Sequence, residues 1–159
     1  MKRVVLFIAL CFSLTAVSFA QSNQTSAQKK LQNDIVNFLK EKGFSHSIDD
    51  NDDVVFKSEG KTHWISISSD SPFHIAIFKM GSSLEGNNGL NRNIAIKTCN
   101  VLNADLPAIR AIFSDTSVWF YFALIISSAE DFRYVFEKSL EMISKTEPTF
   151  RKYYNYFKN

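Results

Sequence analysis

Val54-Val55-Phe56-Lys57-Ser58-Glu59-Gly60-Lys61-Thr62-His63-Trp64-Ile65-Ser66-Ile67-Ser68 reads as two β-strands joined by a tight turn. Side chains two apart share a face of a strand, so the period of two is the signal. His63, Ile65 and Ile67 form one row, and Thr62, Trp64 and Ser66 form the other. Glu59-Gly60 supplies the turn, with Gly free to take the left-handed backbone conformation. The same pattern extends in both directions. Ser45 to Asp49 is a short strand leading into the polar turn Asp49-Asp50-Asn51-Asp52-Asp53. Asp70-Ser71-Pro72 turns the chain into a fourth strand, Phe73 to Lys79. Short strands joined by such turns make an antiparallel meander.

Further out the period changes to that of a helix. Leu31, Ile35, Phe38 and Leu39 line one side of a helix that Gly43 ends. Residues 81–89, with three glycines and two asparagines, read as a mobile loop. Leu90, Ile94, Thr98, Val101 and Leu102 then mark a second helix, closed off before Pro107. Ile109 to Ser114 and Ser117 to Ile126 are two more strands, turning at Asp115-Thr116. The last strand is bulky on both sides, which predicts a central position or a second face that meets a partner. Ser128-Ala129-Glu130-Asp131 is a capping box before the stripe Phe132, Val135, Phe136, Leu140 and Ile143. Pro148 is where that helix is expected to stop or kink. Residues 147–159 then form a separate helical tail carrying Phe150, Tyr153, Tyr154 and Phe157. The predicted fold class is α+β, in the order α-β-β-β-β-α-β-β-α, with five to six antiparallel strands and the helices on one sheet face.

The N-terminus carries a different message. Met1-Lys2-Arg3 is basic, Val4 to Val17 is apolar, and Ser18-Phe19-Ala20 places small residues where a signal peptidase reads. This predicts a signal peptide over residues 1–20, cleaved after Ala20, and an exported protein, periplasmic or secreted. The apolar run is too short for a membrane span, so no stable membrane anchor is expected. Residues 21–30 read as a flexible linker, and 31–146 as the domain proper. Of 18 Lys and Arg, Lys2 and Arg3 lie in the leader, which leaves 16 against 16 acids and a neutral domain. No basic stripe is present, so nucleic acid is not an expected partner. Cys11 falls in the leader, and Cys99 alone cannot form an internal disulfide.

Several phrases point to a known family. They are Leu39-Lys40-Glu41-Lys42-Gly43-Phe44, Asp53-Val54-Val55-Phe56-Lys57 with Gly60-Lys61-Thr62, and Ala129-Glu130-Asp131-Phe132 running into Val135-Phe136. The chain from about Leu31 to Ser144 resembles the YbjN-like family on these phrases. That resemblance implies the fold of type III secretion chaperones, a dimer-prone binding domain, and no catalytic residues to carry over. The leader and the aromatic tail after Pro148 depart from the family's pattern.

Chemistry-bearing residues are sparse. The chain has no H-E-x-x-H, no P-loop and no G-x-G-x-x-G. Gly81-Ser82-Ser83-Leu84-Glu85 fails as a nucleophile elbow, because Glu85 stands where the second Gly belongs. A hydrolase would need Ser82 or Ser83 beside a histidine. His46, His63 and His74 fall on three strands. His63 shares the core row with Ile65, whereas His74 faces away from Phe73, Ile75 and Ile77, which argues against a shared metal site. The run from Asp49 to Asp53 lacks the Gly and Glu of a calcium loop at Val54 and Gly60. Cys99, between Ala95 and Leu102, reads as an inert buried thiol. Neither a catalytic residue nor a cofactor is assigned.

Aromatics are the strongest remaining signal. The 15 Phe include Phe7, Phe12 and Phe19 of the leader, which leaves 12 beside 5 Tyr and 2 Trp. Most Phe residues fall on core stripes. Trp64, Trp119 and Tyr121 fall on the opposite parity and define a candidate binding face. Its expected use is contact with a protein partner or a second copy of the chain, in a non-enzymatic role. The alternatives are cover by Tyr153, Tyr154 and Phe157 of the tail, or a small-ligand or glycan platform assisted by Asn87 and Asn88.

Overall fold

The computed structural model describes residues 24–68, 74–83, 90–114 and 117–159. The leader and cleavage site, the Asp70-Ser71-Pro72 and Asp115-Thr116 turns, and residues 84–89 with Asn87 and Asn88 lie outside them. The elements are α1 (Ser26–Glu41), β1 (His46–Ile48), β2 (Val54–Ser58), β3 (Lys61–Ser68), β4 (His74–Ser83), α2 (Arg92–Asp105), β5 (Ile109–Ser114), β6 (Ser117–Ile126) and α3 (Ala129–Lys158). The order is the α-β-β-β-β-α-β-β-α of an α+β fold. All strands join one antiparallel sheet in the order β1-β2-β3-β4-β6-β5. The two-faced strand β6 is internal, between β4 and β5.

The helices form one layer on one side of the sheet. Val54, Phe56, Ile65, Phe78, Met80, Val118 and Phe120 point into that layer. There they meet Ile35, Phe38 and Leu39 of α1, Leu102 of α2, and Phe132, Phe136 and Phe150 of α3. Rings interlock at edge and stacked geometries, with Phe38–Phe136 centroids 5.1 Å apart and Phe78–Phe132 5.7 Å apart. Gln28 and Gln32, both buried, donate to the carbonyls of Ile67 and Asp52 and pin α1 to the sheet.

Three boundaries and the inward parity of one strand differ from the sequence expectation. Residues 26–30 are helix, not linker. Thr25 caps α1 by accepting from the Gln28 amide, and the Gln28 side chain bonds back to the Thr25 amide. β4 continues through Gly81 to Ser83 rather than ending at Lys79. Its inward residues are Phe78 and Met80, the parity opposite to the row of Phe73, Ile75 and Ile77. Pairing with β3 and β6 sets this register, placing Phe78 between Ile65 and Phe122.

Finally, α3 does not stop at Pro148. It runs for 30 residues, about 45 Å. Pro148 lies on the exposed side of the helix and removes only the bond to the Ser144 carbonyl. Phe150 is buried against Phe120 two residues later, at 5.8 Å between centroids. Tertiary packing therefore holds the second half in helix across the missing bond. The hydroxyl of Tyr153 donates to Asp105, the backbone N–H of Asn91 donates to the Tyr154 hydroxyl at 2.8 Å, and Lys97 lies 4.0 Å from the Phe157 ring centroid. The tail is part of the helical layer.

Candidate functional site

The other face of the sheet carries the aromatic trio. On β3, Trp64 alternates with buried His63 and Ile65. On β6, Trp119 and Tyr121 alternate with buried Val118 and Phe120. One cross-strand row runs Val55, Trp64, Lys79, Tyr121 and Arg110 over β2, β3, β4, β6 and β5. The next outward position on β4 is Gly81, paired with Trp119. With no side chain there, the Trp119 ring settles onto the β4 backbone. A Cβ at Gly81 would lie 3.1 Å from that ring. Trp119 thereby meets Trp64 across β4, with ring centroids 5.4 Å apart and planes at 62°. The glycine that sequence reading assigns to a loop is what assembles the pair.

Lys79 and the β1–β2 turn shape the rest. Asp53 accepts from the Lys79 ammonium at 2.8 Å and from the Ser66 hydroxyl. Asp49 accepts from the backbone amides of Asn51 and Asp53, both at 3.0 Å. These bonds hold the turn upright beside the rings. The result is a depression of about 210 Å³ walled by Trp64, Trp119 and Tyr121 and faced by Asp49, Asn51, Asp53 and Lys79. Tyr121 also borders a second depression of about 470 Å³, bounded by Pro107, Arg110, Ile112 and Ala123. Exposed Ile112 and Ile125, at 37% and 74% of full accessibility, extend the apolar character of this face. No residue of α3 lines either depression, so Tyr153, Tyr154 and Phe157 do not cover it.

The other sequence candidates separate. His63 is fully buried against Phe56, stacked at 5.1 Å, and neither ring nitrogen has a hydrogen-bond partner among the described residues. Burial pushes its pKa down to about 4, helped by the charge of Lys61 and opposed by the Ser58 backbone, which acts on it without a bond of normal geometry. His46 bonds the Phe44 carbonyl at 2.9 Å. Cys99 is buried, and burial pushes its thiol up to about 11, away from nucleophilic character. The side chains of His74, Ser82 and Ser83 lie outside the described residues. Among the described residues, no three His, Cys, Asp or Glu side chains gather as a metal site. No helix among them is long and apolar enough to cross a membrane.

Neither a protein-family model nor a curated protein matches the chain. The reading of function therefore rests on the geometry of the open sheet face.

Proposed function

We propose that this chain is an exported, non-enzymatic YbjN-like domain that binds another protein chain, a partner or a second copy, on its open sheet face. The observation that carries the reading is the Trp64–Trp119–Tyr121 cluster on the side of the sheet that the helices leave free. Tryptophan and tyrosine on a surface combine large contact area with a polar tip, the composition of protein-binding surfaces. Export rests on the basic-apolar-small order of residues 1–20. The test compares the wild-type protein with a Trp64→Ala/Trp119→Ala/Tyr121→Ala variant by light scattering and by capture from an envelope extract. A dimer or a captured protein that the variant loses is the expected result. A monomeric wild type whose capture the variant leaves unchanged sinks the reading.

A second reading is a glycan platform, favoured by the polar groups of Asp49, Asn51 and Lys79 set against the rings in one depression. Tryptophan emission titrated with a saccharide panel decides it. A silent panel counts against this reading.

A further inference from the structure

The two depressions carry opposite charge at their far ends. At the β1–β2 end stand Asp49 in the wall of the depression and Asp50 and Asp52 in the same turn. Asp53 is neutralised there by Lys79. At the β5 end stands exposed Arg110, beyond the Tyr121 ridge. Lys57, the remaining cation on this face among the described residues, sits on β2 two residues along from Val55, off the row that links Trp64 to Arg110. Between the charged ends lie the rings of Trp64, Trp119 and Tyr121 and the Lys79–Asp53 pair, whose opposite charges offset each other. The row from Trp64 to Arg110 crosses β3, β4, β6 and β5. Three strand spacings make about 14 Å.

We propose, on the reading that this face binds a protein chain, that its occupant is an extended segment lying across the strands. That segment presents a basic, an apolar and an acidic side chain at alternate positions. In an extended chain, residues i, i+2 and i+4 point the same way and span about 13 Å, which matches the distance across the row. The basic group enters the Trp64–Trp119 corner beside Asp49, where ring faces and carboxylate both favour a cation. The apolar residue rests on Tyr121, and the acidic residue reaches Arg110. Charge at the two ends fixes direction and register, while the rings supply contact area.

The experiment titrates the purified protein with a synthetic peptide carrying Arg, Leu and Glu at alternate positions with Ser between. The control peptide carries Leu at all three. Binding is read by tryptophan emission and calorimetry at low and high salt. The charged peptide is expected to bind more tightly and to weaken with salt, and Arg110→Glu to weaken it roughly tenfold. Replacing the peptide's Glu by Arg should then restore binding to Arg110→Glu. Asp49→Asn, which keeps the cap on the turn amides, should weaken the charged peptide and leave the control unchanged. Equal binding of the two peptides, lost in Trp119→Ala, overturns the charge pattern and leaves the binding face standing. Failure of Arg110→Glu and Asp49→Asn to affect the charged peptide does the same. Absence of binding by both peptides overturns the proposal, and the light scattering and capture of the Trp64→Ala/Trp119→Ala/Tyr121→Ala variant then decide separately whether the reading beneath it stands.

Discussion

The two faces of the sheet are built from the same strands and differ in what they ask of their residues. Inward, Phe56, Phe78 and Phe120 interlock with Phe38, Phe132, Phe136 and Phe150, all of them buried. Phenylalanine needs no hydrogen-bond partner, so a dry layer can be filled with it. Outward, the aromatic positions of β3 and β6 are Trp64, Trp119 and Tyr121, interleaved with Ser66 and the Lys79–Asp53 pair. Each outward ring keeps a polar atom for water or a partner. Along β6 the choice alternates residue by residue: Val118, Trp119, Phe120, Tyr121. A single strand thus carries the core on one parity and the proposed binding face on the other.

The widest separation between the faces is in stability. Phe120→Ala or Phe132→Ala leaves a cavity in the helical layer and should cost about 3–5 kcal/mol. Trp119→Ala, on the half-buried outer ring, should cost less than about 1.5 kcal/mol. Urea unfolding midpoints measure both. Equal losses would mean that the outer face is a second core, and the division between the faces would fail.

His63 tests the inner face by pH. Its folded pKa of about 4 lies below its ordinary 6.5, so the unfolded chain takes up the proton first as the solution is acidified. Stability from this group is complete above pH 6.5 and falls as pH drops toward 4. The loss is on the order of 3 kcal/mol. His63→Leu should remove that part of the slope. It should also raise stability at neutral pH, because two unpartnered ring nitrogens disappear from the core. Parallel curves for the two proteins between pH 4 and 6.5 would refute this account.

What was legible in the sequence follows the same division. The period-two rows of β2, β3 and β6 and the helical stripes settled the α+β order. Burial of one face leaves a strong alternating pattern. The trio Trp64, Trp119 and Tyr121 was legible because bulky residues stood on the parity opposite the core. Less legible was anything decided by a contact from elsewhere in the chain. Gly81 reads as a loop glycine until the Trp119 ring is seen lying over it. Pro148 reads as a helix end until Phe150 is seen anchored on Phe120. The start of α1 was available in principle, since Thr25-Ser26-Ala27-Gln28 is a capping box in a polar stretch that resembles a linker. The parity of β4 was lost because Phe73, Ile75 and Ile77 make a convincing row, and only pairing to β3 and β6 sets which row turns inward.

A smaller effect concerns the sheet edge. β5 is an edge strand, and the side-chain amide of Asn103 bonds both the N–H and the C=O of Ala111, at 2.6 and 3.1 Å. The N–H of Ile109 is taken by the Leu106 carbonyl at 2.8 Å. Both backbone groups of Ala111 and the N–H of Ile109 are thus satisfied internally, which blunts this edge against pairing with another chain. Asn103→Ala should cost about 1–3 kcal/mol. It should also introduce concentration-dependent association, visible by light scattering. A variant that stays in the wild-type association state at every concentration would show that the amide does not guard the edge.

The smallest effect on stability is expected at Gly81, and it separates the two faces most sharply. Alanine there gains by restricting the unfolded chain, about 0.4–1 kcal/mol. Against this, its Cβ meets the Trp119 ring at 3.1 Å, so the ring must move outward by a few tenths of an ångström. The two effects nearly cancel, and Gly81→Ala should unfold within about 1 kcal/mol of wild type. The ring shift, however, opens the Trp64–Trp119 corner that the proposed partner enters. Tryptophan emission should therefore move toward the wavelength of a more hydrated indole, and peptide binding should weaken while the unfolding midpoint stays in place. Gly81→Val, with two further methyl groups in the same space, should enlarge the emission and binding changes. If the emission of Gly81→Ala matches wild type, the glycine does not seat the ring. If its binding is unchanged while its emission shifts, the corner is not where the partner enters.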